Sequence, residues 1–471
     1  MPVDTTVVRD VVVVVPGIMG SELVDHENRP VWAVSAGALI HAIRTLGKSL
    51  QNLQLPEGIG DNEPDDPKKQ MKPTRLIDSL HVIPGLWSPI TGYDGLLNFL
   101  RSSRFHLIEK KAGAHDGRIP NLIPFPYDWR LSNVFNAKRL AKEAIDALDQ
   151  WRKQPGMGDA KLVLICHSMG GLIAQYFAEK LGGAEIIRSI ITIGTPHRGA
   201  LNSLATLVNG LEPKIGPLRL SLTEFARSLP SIYQLLPQYN CVVTEGGRVS
   251  LGQASCPNLN GKMLNDAFEF HQAIGDKTPS AYVLHKVVGI RQPTATTVRI
   301  ISGKAVVDEE IDGRNQGGDG TVPFMAAEPL IGYGSNVQYV AGQHGELQDT
   351  RSLKDLVDGI LTAQDIVRQA SQQAGFGVEM EEIWSDQEPL ILRVRDADDE
   401  RLLVKVQDEK GASVKLQDGS RFVQAIPVSK GVANLGRLPE GGYSAMVYSS
   451  RPGGPRTVTK PFLVINEDVE P

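Results

Sequence analysis

Leu162-Val163-Leu164-Ile165-Cys166-His167-Ser168-Met169-Gly170-Gly171 decides how this chain is read. Four apolar residues of strand character run into a small residue, a His, a Ser and two glycines. Leu172 to Lys180 follows as a helix, which Gly182 and Gly183 terminate. So tight a strand-to-helix turn forces the serine out of the backbone, its hydroxyl exposed at the top of a parallel sheet. Small residues must flank it, because a bulky side chain two positions away would strike the opposing backbone. The stretch therefore predicts a nucleophile elbow at Ser168. Cys166 stands where such turns usually carry a first glycine, and it is small enough to keep the geometry.

Similar units lie on both sides. Val11 to Val15 is β-branched throughout and stops at Pro16-Gly17, the pattern of a fully buried strand feeding a turn. Asn121 to Arg130 reads as a short strand followed by a turn, Asn136 to Lys153 as a helix with Leu140, Ala144, Ala147, Leu148 and Trp151 on one face. Ser189 to Pro196, stopped by the proline, Ala281 to Ile290 and Val337 to Ala341 read as further strands, and Arg351 to Gln373 as a closing helix. Alternating strand, helix and strand units imply a parallel sheet with right-handed crossovers. The expected fold class is α/β: an α/β-hydrolase with cap or lid insertions over residues 1–373.

Two segments interrupt this alternation. Residues from about 32 to 90 read as an insertion, with Leu39, Ile40, Ile43, Leu46, Leu50 and Leu53 at helical spacing and a polar, proline-rich loop from Gly58 to Pro73. Leu201 to about 265 holds helical pieces and loops where this fold carries a lid. After Ala374 the texture changes to short alternating runs separated by Gly-rich turns, among them Leu402 to Val406, Tyr443 to Tyr448 and Phe462 to Ile465. They predict a β-sandwich-like accessory module over residues 380–471. It holds no His, and the expectation for it is an interaction or stabilising role with a protein partner.

A serine hydroxyl is a poor nucleophile until a positioned imidazole takes its proton and a carboxylate orients that imidazole. In this fold the chain order is Ser, acid, His. His344, in Gly342-Gln343-His344-Gly345, sits just past the last strand and is the expected base. His285 lies mid-strand, and His197 precedes every acid in that order. For the acid, Gly317-Gly318-Asp319-Gly320 lets Asp319 project from a tight loop, whereas Asp308 and Asp312 belong to a charged, solvated hairpin. The developing oxyanion needs two backbone N–H groups: Met169, after the nucleophile, and Ile18, in the turn after the first strand.

Composition excludes other classes. The 471 residues carry a net charge of −5 with no Lys/Arg run, which argues against a nucleic-acid-binding face. The three cysteines lack metal-ligand spacing, and neither a metal nor an organic cofactor is expected. Cys241 and Cys256 are read as reduced. The first residues carry no basic segment and adjoining apolar core, so the expected location is cytoplasmic.

Taken together, these residues resemble the lecithin:cholesterol acyltransferase-like family, which includes lysosomal phospholipase. The matching pieces are Val15-Pro16-Gly17-Ile18-Met19-Gly20-Ser21, Pro126-Tyr127-Asp128-Trp129-Arg130, His167-Ser168-Met169-Gly170, Gly194-Thr195-Pro196-His197-Arg198-Gly199, Gly318-Asp319-Gly320-Thr321 and the His344 loop. The Pro-Tyr-Asp-Trp-Arg element is the most specific of them. The resemblance implies Ser168, Asp319 and His344 as triad, Ile18 and Met169 as oxyanion hole, and lipid acyl esters as substrates, the acyl group passing to water or an alcohol. It also implies peripheral membrane contact through the 32–55 segment, although a cap helix packed on the core explains the same leucine stripe. No Cys precedes Cys166, so the early disulfide of secreted members has no counterpart here.

Overall fold

The computed structural model describes residues 8–32, 53–78, 92–111, 117–210, 214–215, 218–219, 222–275, 281–328, 336–362, 376–395, 402–408, 411–412, 414, 416, 424–426, 431–449 and 457–466. Six strands form the central sheet in the order Val337–Ala341, Val283–Ile290, Ile187–Ile193, Leu162–His167, Val11–Val15, Leu122–Pro124. Every pairing is parallel.

Both faces of that sheet are covered, which is why its strands read as unbroken apolar runs. Val11, Val13 and Val15 face one core, shared with Leu140 and Ala144 of the Asn133–Arg152 helix and Leu172 and Ile173 of the Met169–Lys180 helix. Val12 and Val14 face a second, with Leu96 and Leu100 of the Asp94–Leu100 helix and Leu353 and Val357 of the Arg351–Thr362 helix. Strand alternation thus divides one valine run between two cores. The parallel order and the serine turn between its central strand and helix define the α/β-hydrolase fold.

Several boundaries differ from expectation. The helix after the elbow starts at Met169, immediately beyond Ser168, rather than at Leu172. The Asn133–Arg152 helix starts three residues early, because the Ser132 side chain accepts the Phe135 N–H at 3.1 Å and caps it. Lys72–Leu76 is a strand, so the polar loop ends before Lys72; it pairs with Ser21–Val24, which also pairs with Pro30–Trp32. The lid-like segment contributes helices Leu201–Asn209, Thr223–Ser228 and Pro230–Tyr233, but also strands Val242–Thr244 and Gly247–Val249. These join Thr297–Ile301 and Lys304–Asp308 in a four-stranded sheet. The leucine stripe from Leu39 to Leu50 lies outside the described residues; Leu53, its last member, is buried in the main core.

The C-terminal strands form a five-stranded and a three-stranded sheet around a separate apolar core. Pairing is antiparallel except between Ile383–Ser385 and Val458–Ile465. The last strand straddles two cores. Phe462 and Val464 face the C-terminal one, Leu463 and Ile465 the main one.

Candidate active site

Three loops at the C-terminal ends of parallel strands make the site. Ser168 follows the Leu162–His167 strand with φ 51° and ψ −126°, a left-handed conformation that a non-glycine residue adopts only at a cost of about 1–3 kcal/mol. The first turn of the following helix lies against the oxyanion turn. A Cβ on Gly170 would come within 2.5 Å of the Pro16 carbonyl oxygen, so only glycine fits there. Cys166 is fully buried inside the strand, and burial pushes its thiol pKa well up, leaving a small apolar filler.

Ser168, His344 and Asp319 form one hydrogen-bonded line. Ser168 Oγ lies 2.9 Å from His344 Nε2, and His344 Nδ1 lies 2.8 Å from Asp319 Oδ2. Asp319 Oδ1 accepts the N–H groups of Thr321 at 3.0 Å and Val322 at 2.7 Å. The His344 N–H donates to the Asp319 carbonyl at 2.7 Å, which locks the two loops together. A carboxylate accepts from Nδ1–H, so Nε2 is bare and faces the serine hydroxyl. Gly289 opens the space for the acid: a Cβ there would meet the Asp319 Cβ at 2.3 Å.

The Pro16–Gly20 turn packs directly on the elbow, since a Cβ on Gly17 would meet the Ser168 Cβ at 2.9 Å. Met169 opens its helix, so its N–H has no partner one turn back. The Gly17 N–H donates to Tyr93 Oη at 2.8 Å and the Gly20 N–H to the Gly17 carbonyl, which leaves Ile18 and Met19 as the amides of this turn. Tyr93 Oη lies 2.9 Å from His167 Nδ1, and His167 Nε2 lies 3.0 Å from the His344 carbonyl oxygen. That carbonyl only accepts, so Nε2 carries the proton and Tyr93 donates to a bare Nδ1. Burial, reinforced by His344, lowers the His167 pKa to about 3, so this neutral form persists across the working pH range. Tyr93 and His167 thus join the Pro16–Gly20 turn to the backbone of His344. The sequence reading missed both.

The Pro-Tyr-Asp-Trp-Arg element explains itself physically. Tyr127 Oη donates to the Pro16 carbonyl at 2.9 Å, and the Tyr127 N–H donates to Ser21 Oγ at 3.0 Å, bracing the oxyanion turn. Arg130 and Asp128 form a buried bidentate pair at 2.9 and 2.6 Å. The same guanidinium donates to the carbonyls of Leu53 and Lys69 at 3.1 Å each, tying the insertion to the core. Removing one partner strands the other charge without water. Arg130→Ala is expected to cost about 3–5 kcal/mol in urea unfolding, with the Asp128→Ala/Arg130→Ala double variant losing less than the two single losses added. Additive losses would mean that the pair does not act as a unit.

The competing residues lie elsewhere. His197 Nδ1 is 2.9 Å from Gln175 Oε1 and its Nε2 3.3 Å from Thr192 Oγ1. Asp312 pairs with Arg248 on the surface, and the Asp308 side chain accepts the Glu310 N–H. The insertion and the lid-like segment face one another across a cavity of about 480 Å³ lined by Leu55, Ile59, Arg227, Gln234 and Met263. No triad residue lines it. Ser168 is fully buried. No described helix is long and apolar enough to cross a membrane.

The lecithin:cholesterol acyltransferase family model matches residues 111–287, a stretch that contains the Asp128–Arg130 pair and Ser168. Lecithin-cholesterol acyltransferase-like 4 of Arabidopsis thaliana is 30% identical over 246 residues, 48% of this chain and 42% of that protein. The match therefore spans less than half of that relative. Among solved structures, phospholipase PlaB from Legionella pneumophila aligns over 97% of this chain and 92% of its own at 10% identity and a TM-score of 0.32. The Bacillus licheniformis lipase BlEst2 aligns over 72% and 85% at 11% identity and a TM-score of 0.31. At such scores the fold assignment rests on the chain's own topology. Over residues 111–287 the chain is similar to the lecithin:cholesterol acyltransferase family, and its own topology is that of an α/β-hydrolase fold.

Proposed function

We propose that this protein is a serine enzyme that cleaves acyl esters of lipids through an acyl-enzyme on Ser168. The observation that carries this reading is the line from Ser168 Oγ through His344 to Asp319 at 2.9 and 2.8 Å. Ser168 Oγ attacks the ester carbonyl carbon as His344 Nε2 takes its proton. Asp319 holds the ring and stabilises the imidazolium. The N–H groups of Met169 and Ile18 stabilise the oxyanion. His344 then protonates the departing alcohol, leaving the acyl group on Ser168, and the same base activates the acceptor that removes it.

Water is the first-choice acceptor. Burial of the whole triad favours a second reading, transfer to an alcohol, because a closed site excludes water from the acyl-enzyme. An inert scaffold with the C-terminal module recruiting a partner is opposed by the assembled hydrogen-bonded line. Membrane contact through the 32–55 segment stays part of the proposal, supported by the apolar residues at helical spacing from Leu39 to Leu53.

The test incubates full-length protein with phosphatidylcholine vesicles and a long-chain alcohol, then quantifies products. Free fatty acid, lysophospholipid and alkyl ester together are expected to exceed those of Ser168→Ala at least a hundredfold, and the ester-to-acid ratio assigns the acceptor. Equal product from wild type and Ser168→Ala would sink the reading.

A further inference from the structure

The accessory β-module touches the active site through hydrogen bonds, not only through its apolar seam. Gln292 sits on the acid's loop, where its N–H donates to the Gly318 carbonyl at 2.9 Å. Its side-chain amide then acts as one rung of a sheet for the module. Gln292 Nε2 donates to the Phe376 carbonyl, and Oε1 accepts the Val378 N–H, both at 3.2 Å. Gln343, immediately before His344, donates through Nε2 to Gln292 Oε1 at 2.8 Å and to the Val378 carbonyl at 3.1 Å. Glu346, two residues after His344, accepts the Gln343 N–H at 2.9 Å and the Thr459 N–H at 2.8 Å on its two oxygens. The Glu346 N–H returns to the Gln343 side chain, closing a capping box around the His344–Asp349 turn.

We propose that the C-terminal module is a positioning element of the active site, holding the loops of Asp319 and His344 through Gln292, Gln343 and Glu346. The base opens a six-residue 3₁₀ helix, whose hydrogen-bond geometry is poorer than that of an α-helix. Apolar contact alone, such as that of Leu463 and Ile465 with the main core, leaves sliding freedom. Amide hydrogen bonds at fixed angles remove it. Gln292 and Gln343 are 1% and 4% exposed, so their bonds are made away from competing water. Desolvation at this seam also pushes the Glu346 carboxyl up to about 7, so an ionisable group is retained where its charge is costly. The role that fits is an acceptor for two N–H groups from two modules. The inference rests on Ser168, Asp319 and His344 acting as the triad.

The experiment uses full-length Gln343→Ala, Glu346→Ala and Glu346→Gln, with Arg395→Ala as an interface control. Arg395 pairs with Glu309 and Glu379, ion pairs that involve none of Gln292, Gln343 and Glu346. Readouts are kcat and KM on a soluble p-nitrophenyl ester, and the rate of fluorophosphonate labelling per folded molecule. Gln343→Ala and Glu346→Ala are expected to lower kcat about 10- to 100-fold with KM within about twofold, as a base displaced by an ångström would. Glu346→Gln keeps one acceptor oxygen and should recover part of the loss; Arg395→Ala should keep kcat within about twofold. Wild-type kcat per folded molecule in both alanine variants overturns the proposal, whatever their melting temperatures, and so does an equal loss in Arg395→Ala. Should the alanine variants not fold, Glu346→Gln decides: a several-fold loss of kcat supports the proposal and unchanged kcat overturns it. A wild type that neither turns over nor labels would remove the triad reading itself, and the proposal with it.

Discussion

Ser168→Ala is expected to lower kcat on a soluble ester by about 10⁶-fold while leaving the melting temperature within a few degrees of wild type. Its Oγ bonds His344 Nε2, whereas the backbone of the elbow is held independently by the Thr195 hydroxyl on the Ser168 carbonyl at 2.9 Å and by the Ser168 N–H on the Ile193 carbonyl at 2.8 Å. Alanine therefore keeps the turn and loses the nucleophile. Activity should be measured on protein whose fold is checked by circular dichroism. Turnover within tenfold of wild type from a well-folded variant would remove Ser168 from the mechanism.

Asp319→Asn is expected to cost about 10⁴-fold in kcat, by way of the wrong tautomer. The Thr321 and Val322 N–H groups demand an oxygen where Oδ1 now sits. An asparagine satisfies them with its carbonyl, which turns its NH₂ toward His344 Nδ1. His344 must then accept there and carry its proton on Nε2, where it can no longer take one from Ser168. Asp308→Asn and Asp312→Asn, half-buried and exposed respectively in the Lys304–Asn315 hairpin region, should turn over normally. A harmless Asp319→Asn together with an inactive Asp308→Asn or Asp312→Asn would move the acid.

What the sequence made legible was local. Ser168, Asp319 and His344 sit in glycine-dense turns bounded by apolar strands, and such turns advertise themselves within ten residues. The valine run and the proline stop likewise declared the first strand and the turn after it. What stayed hidden depends on distant pairing. Tyr93 reaches Gly17 across 76 residues, and Gln343 reaches Val378 across 35. A lone tyrosine or glutamine has no periodicity to betray its partner. The Val242–Thr244 strand and its hairpin partner Gly247–Val249 are three residues long each, too short for an alternation pattern to register.

The accessory module was legible as β-structure because its runs alternate, but its relation to the site was not. Its links to the catalytic loops run through the Phe376, Val378 and Thr459 backbones, which carry no residue-type signature. Backbone donors and acceptors of this kind become visible only in three dimensions.

The central claim is that Ser168 is an activated nucleophile, and covalent labelling tests it most directly. Full-length protein treated with a fluorophosphonate, digested and analysed by mass spectrometry should carry one adduct per chain, on the peptide containing Ser168. That adduct should be absent from Ser168→Ala and form far more slowly in Asp319→Asn. A folded wild type that takes up no label, or one labelled at a residue other than Ser168, would contradict the account.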